Sequence, residues 1–123
     1  MIKVLGIGGI FFRAKDPKAL GLWYEETFGI NKVTDSYDDP AWTQEAGTTV
    51  FAPFKQDTTY FGRPEQQWMI NFRVADLDAT VTALRASRVT VEVADEREPN
   101  GRFAQLKDPE GNPIELWQEM PPP

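Results

Sequence analysis

The sequence predicts an α+β fold made of two tandem β-α-β-β-β units. Three observations carry this. Ile10-Phe11-Phe12-Arg13-Ala14-Lys15-Asp16 recurs as Ile70-Asn71-Phe72-Arg73-Val74-Ala75-Asp76, with Ile, one Phe, Arg and Asp identical. Self-similarity of this kind marks a duplicated supersecondary unit. Each copy ends in an Asp that opens a helical pattern, and each helical pattern is followed by three short strand candidates between turn-forming residues. At 123 residues the chain fits one domain, with unit 1 at about 1–56, a linker at about 57–66 and unit 2 at about 67–120. One unit alone is too small for a good core, so the two must pack together or onto a partner chain.

The elements follow in order. The run through Ile10 and Phe12 is the first strand. Asp16 is a good N-cap with Pro17 at the first helical position, and Gly29 is a good stop, which predicts a helix over Pro17 to Phe28. Leu20, Trp23 and Tyr24 form its apolar stripe. Strand candidates at Asn31–Asp35, Trp42–Glu45 and Thr48–Phe54 come next, with turns at Asp38-Asp39-Pro40 and Ala46-Gly47. The linker is polar and holds Gly62 and Pro64. In unit 2, Asp76 caps a helix over Leu77 to Ser87 with the stripe Leu77, Val81 and Leu84. Strands follow at Val89–Val93, Phe103–Lys107 and Ile114–Gln118. Asp108-Pro109-Glu110-Gly111-Asn112 between the last two is a hairpin signal, with Pro109 suited to a type I turn and Gly111 to the left-handed residue after it. Pro121-Pro122-Pro123 cannot join a ladder and reads as a frayed tail.

Composition excludes several chemistries. There is no Cys, hence no disulfide, thiolate nucleophile or Cys-ligated metal, and no His, hence no imidazole base or Ser-His-Asp triad. A metal would need an all-oxygen shell. Net charge is −6, from 13 Lys and Arg against 19 Asp and Glu. That argues against nucleic acid as a partner, since such binding rests on a basic face. It suits a cationic ligand, although solubility alone also explains it. The sequence has no apolar run near the ~18 residues of a membrane span and no signal-peptide pattern, so a cytoplasmic protein away from membranes is expected.

The paired β-α-β-β-β plan resembles the vicinal oxygen chelate superfamily, which groups glyoxalases, bleomycin-resistance proteins and extradiol dioxygenases. The resemblance covers nearly the whole chain. Lys107-Asp108-Pro109-Glu110-Gly111-Asn112-Pro113-Ile114-Glu115-Leu116 looks like the family's closing hairpin and last strand. Ala14-Lys15-Asp16-Pro17 through Trp23-Tyr24 to Phe28-Gly29 looks like its first strand-to-helix passage. The resemblance implies a curved mixed sheet around a concave pocket, with the helices outside. It also implies where a metal would sit. The family's His positions fall at Gly9 and Met69, and its carboxylate positions at Phe51 and Glu115. Only Glu115 can ligate a hard cation, so no metal and no other cofactor is expected. Metal-dependent glyoxalase, dioxygenase and fosfomycin-type transferase chemistry is therefore not expected either.

Since the family's ligands point into the cavity, strand alternation sorts the remaining residues by face. The expected ligand-binding set is Phe11, Trp42, Gln44, Phe51, Asn71, Arg73, Phe103, Gln105, Glu115 and Trp117, with Arg13 on the same face. Ile70, Phe72, Val50, Ile114 and Leu116 then face the helices. An apolar hollow with a few orienting polar groups is the make-up of a small-molecule site. The same aromatics would equally serve as filler or as a dimer contact, and the arginines as solvated strand-end residues. Glu115 has three readings: an anchor for a ligand ammonium, a general base raised in pKa by an apolar setting, or a structural partner of Arg13 or Arg73. The expectation is thus a metal-independent small-molecule binding protein holding an aromatic or cationic compound. The alternatives are a metal-independent isomerase or lyase with Glu115 as its catalytic base, and a non-catalytic dimeric structural or regulatory protein. A homodimer is expected in each case, because the exposed edges of short strands invite pairing.

Overall fold

The structure, a computed structural model, describes residues 1–32 and 36–120. Its elements are α1 (Pro17–Phe28), β1 (Ile70–Arg73), α2 (Leu77–Ala86), β2 (Glu92–Val93), β3 (Gly101–Lys107) and β4 (Pro113–Glu119). The class is α+β, as expected. Among the described residues no helix is long and apolar enough to cross a membrane.

Both helices start where their caps dictate. Asp16 Oδ1 accepts from Ala19 N at 3.1 Å and Asp76 Oδ1 from Ala79 N at 3.0 Å, each filling one of the donors a helix N-terminus leaves open. Gly29 ends α1 in the left-handed region at φ 71°, its N–H returning to Glu25 O. The N-terminus of α2 is also held from the sheet, where Gln118 Oε1 accepts from Leu77 N at 2.8 Å.

Unit 2 forms its whole β-α-β-β-β. The sheet is mixed and open, in the order β1-β4-β3-β2, with β1 parallel to β4 and the other pairs antiparallel. The side-chain period of two sends Ile70, Phe72, Ala104, Leu106, Ile114 and Leu116 to the helix side, where they pack with Leu77, Val81 and Leu84 of α2 and Leu20 and Tyr24 of α1. Ile114, Leu116 and Leu77 are fully buried.

The β3–β4 hairpin also docks α1. Asp108 is buried, and its Oδ1 accepts from the backbone of Glu110 and Asn112 at 2.9 and 3.0 Å. Its Oδ2 accepts from Asn112 Nδ2 at 2.8 Å and from the Tyr24 hydroxyl of α1 at 2.7 Å. Burial, then the hydrogen bond to Asp108, pushes the Tyr24 phenol well above its ordinary range. One residue past Pro109, Glu110 receives the N–H groups of Lys15 and Asp16 at 2.6 and 3.1 Å. The two carboxylates clamp both the body and the entry of α1.

Unit 1 differs from its expected form. Of its elements only α1 is regular among the described residues. The opening run and the candidates at 42–45 and 48–54 carry no ladder, and the candidate at 31–35 lies partly outside the described residues. A strand pattern forms a strand only when a neighbour satisfies its backbone, and a turn must fix the register. In unit 2 that turn is locked by four donors onto Asp108. The corresponding turn, Glu45-Ala46-Gly47, has no Asp, Pro or Asn to do so. Its Glu45 carbonyl is taken instead by Arg73 Nη2 at 2.8 Å.

Candidate ligand-binding site

Register places the candidate side chains of unit 2 in two rows on the sheet face away from the helices. The first row runs Asn71, Glu115, Gln105 and Glu92 across all four strands. The second, one pleat along, runs Arg73, Trp117 and Phe103. Neighbouring strands lie ~4.8 Å apart and same-face residues ~7 Å apart along a strand, which sets the spacing of the two rows.

The aromatic row is held firmly. Trp117 and Phe103 stack with rings 4° from parallel and centroids 6.2 Å apart. The Trp117 indole N–H donates to Asn100 O at 2.8 Å, and its side chain is only 5% exposed. Gly101, at φ 148°, makes this possible, since a Cβ there would lie 2.5 Å from Trp117 Nε1. Arg73 turns toward unit 1, with its guanidinium against Gly47 and on the Glu45 carbonyl.

Glu115 is half-buried at the centre of the polar row. Asn71 Nδ2 donates to its Oε1 at 2.7 Å, and the Tyr60 hydroxyl donates to its Oε2. Burial, followed by the bond to Glu115, pushes the Tyr60 phenol up. Among the described residues Glu115 makes no ion pair, so the expected alternative of an Arg13 or Arg73 partner is replaced by two neutral donors. Gln105 Nε2 reaches Met69 Sδ at 3.8 Å, which sets Met69 beside the same row.

Of the ten residues expected from the sequence, the face gathers Asn71, Arg73, Phe103, Gln105, Glu115 and Trp117. The four from unit 1 lie elsewhere. Phe11 and Phe51 are 94% and 87% exposed, Gln44 is exposed, and Trp42 packs edge-on against Phe72 at 6.5 Å. Two residues were missed. Tyr60 was hidden in a polar linker, although an aromatic pair, Tyr60-Phe61, in such a stretch is itself a signal. Glu92 enters the row only through the β2–β3 register. Two grooves lie on the helix side, one against α1 and Glu110, one between α1 and α2, and neither is lined by Glu115 or Trp117.

The sequence pattern of the family described as a Glyoxalase-like domain matches residues 9–117. The chain belongs to that family. No curated protein matches the sequence. Among solved structures, it is similar to TnmS3, an antibiotic binding protein from Streptomyces sp. CB03234, at 23% identity and TM-score 0.64, covering 97% of this chain and 99% of that one. It is also similar to a member of the glyoxalase/bleomycin resistance protein/dioxygenase superfamily from Sphaerobacter thermophilus DSM 20745, at 24% identity and TM-score 0.56 over 86% and 90% of the two chains. A lactoylglutathione lyase from Agrobacterium tumefaciens aligns at 22% identity and TM-score 0.52 over 85% and 87%. At these identities the likeness is one of fold.

The positions at which the family resemblance would place a metal do not fit one here. They fall at Gly9, Met69, Phe51 and Glu115, a set with one carboxylate, and both oxygens of that carboxylate already accept hydrogen bonds from Tyr60 and Asn71. Among the described residues no group of three or more Asp or Glu lies close enough to hold an ion.

Proposed function

We propose that the protein is a metal-independent small-molecule binder that holds a planar aromatic cation on the sheet face of unit 2. One observation carries this reading: a half-buried carboxylate without an ion partner among the described residues stands one pleat from the stacked Trp117–Phe103 pair. An aromatic ring system would lie against Phe103, which the buried Trp117 backs, and its ammonium or amino group would meet Glu115, with Asn71 and Gln105 setting orientation. The acidic net charge favours a cation over an anion at long range. A relative in fold that is named as an antibiotic binding protein supports the class of ligand. Because both Glu115 oxygens are held by donors, binding is favoured over proton abstraction. A homodimer and a cytoplasmic location are part of the same proposal. Ile2, Val4, Leu5, Phe11 and Phe51 stand exposed, and a second copy is the partner we assign to them.

Isothermal titration with 9-aminoacridine, a planar cation at neutral pH, tests the reading against neutral acridine. Saturable binding of the cation is expected. It should weaken about tenfold or more in Glu115→Gln, which removes a charge-assisted contact. Phe103→Ala should also weaken it, and is cleaner than a change at the buried Trp117. Equal binding of cation and neutral analogue would overturn the role given to Glu115.

A further inference from the structure

The linker between the units is built as a strap, and it ends on the site. Residues 55–66 form three successive turns, closed by Thr58 N to Lys55 O at 3.0 Å, Gly62 N to Thr59 O at 3.2 Å and Gln66 N to Arg63 O at 3.0 Å. The second turn is pinned at its start by Tyr60 N to Thr58 Oγ1 at 3.2 Å, and Gly62 supplies φ 90° at its close. Phe54 stacks on Tyr60 with centroids 6.1 Å apart and packs on Phe61 at 5.0 Å, so the ring of Tyr60 is carried by its own strap. Only its hydroxyl leaves the strap, and it donates to Glu115 Oε2 on β4. No other side chain of residues 54–62 has a hydrogen bond to the sheet face among the described residues.

We propose that Tyr60 is a specificity-determining residue of the Glu115 site, a latch that fills one carboxylate oxygen with a phenol donor. The proposal rests on Glu115 being the anchor for a cation. With Oε2 taken, a neutral amine or hydroxyl on a ligand gains little over the phenol it would replace. A protonated amine brings a full charge to the carboxylate and displaces the phenol, since it adds the attraction of opposite charges to the hydrogen bond that a neutral donor offers. The strap then swings on its turns without breaking any contact in the core. Tyr60 therefore sets a threshold: it admits cations, turns away neutral isosteres, and keeps the carboxylate satisfied while the site is empty.

Tyr60→Phe keeps the ring on Phe54 and removes the hydroxyl alone. Binding of 9-aminoacridine to Tyr60→Phe should tighten about three- to tenfold, the worth of one competing hydrogen bond. In the Glu115→Gln background the same change should alter binding less than twofold. A second arm needs no ligand. Opening of the strap frees Lys55, whose carbonyl accepts from Thr58 N in the first turn, so trypsin should cut there about three- to tenfold faster in Tyr60→Phe than in the unmodified protein. An unchanged cleavage rate removes the latch whatever the ligand does. Binding by the unmodified protein that is unchanged or weakened in Tyr60→Phe overturns the competition and leaves the ligand reading standing. Absence of binding by either protein at millimolar concentration removes the ligand reading, and the threshold with it, even where cleavage is faster.

Discussion

Removing the hydroxyl that joins α1 to the closing hairpin should cost stability in a way that pH reveals. In Tyr24→Phe the ring stays in the core, between Phe12, Trp23, Phe28 and Phe72, and only the 2.7 Å bond to Asp108 is lost. A hydrogen bond to a charged group contributes about 1.5–3 kcal/mol. Asp108 keeps three further donors, so the loss should fall at the lower end, about 1–2 kcal/mol, or a fall in Tm of about 3–10 °C at pH 7. The Tyr24 phenol is raised in the folded state, so folding holds a proton that the unfolded chain releases above its ordinary value of 10. The stabilisation is therefore complete below pH 10 and is lost as pH climbs toward the raised folded value, at about 1.4 kcal/mol per pH unit. Tyr24→Phe lacks that loss, and the contribution of Tyr60 is common to both proteins. The gap between the two melting curves should be widest at pH 7–9 and close by about pH 11. Thermal melts followed by circular dichroism across that range measure it. Equal Tm values at pH 7, or a gap that stays constant to pH 11, would refute the latch between Tyr24 and Asp108.

Two further outcomes follow from the same geometry. Gly101→Ala would set a Cβ 2.3 Å from Gln118 O at a backbone angle side chains rarely adopt, so it should destabilise the fold by about 1–3 kcal/mol. It should also shift the Trp117 indole N–H resonance, as the bond to Asn100 O is broken; a resonance left in place would show that the hairpin yields elsewhere. Sedimentation equilibrium should give twice the chain mass at micromolar concentration, and a monomer mass at all concentrations would remove the homodimer.

What the sequence disclosed depended on range. Caps at Asp16 and Asp76 and the turn at Asp108 to Asn112 act over three or four residues: both helices begin at those caps, α2 ends one residue before Ser87, and the last hairpin turns where expected with strands one or two residues longer at their ends. Alternation then ordered six candidate residues on one face, once the family resemblance had said which face holds the cavity, and left Ile114 and Leu116 to the core. The partners of Glu115 were not legible. Tyr60 and Asn71 reach it across 55 and 44 residues, and no local pattern marks a phenol for a distant carboxylate. The strands of unit 1 failed for the opposite reason. Their pattern is local and clear, but pairing is a long-range event, and the turn that would impose it is short of the side chains that lock its counterpart.

The segment that carries most of the family resemblance therefore serves the site indirectly. Asp108, Glu110 and Asn112 are occupied with each other and with α1. Yet the hairpin they fix decides where Glu115 points. A slip of one residue between β3 and β4 would turn Glu115 and Trp117 into the core and bring Ile114 and Leu116 out to solvent. Burying a lone carboxylate among Leu77, Leu84 and Leu106 would cost several kcal/mol, and exposing two residues now at 0% would forfeit about 2–3 kcal/mol each. Register and face are thus one choice: the buried carboxylate at Asp108 holds the turn, the turn holds the pleat, and the pleat leaves Glu115 on the side away from the helices, where the Tyr60 hydroxyl donates to it.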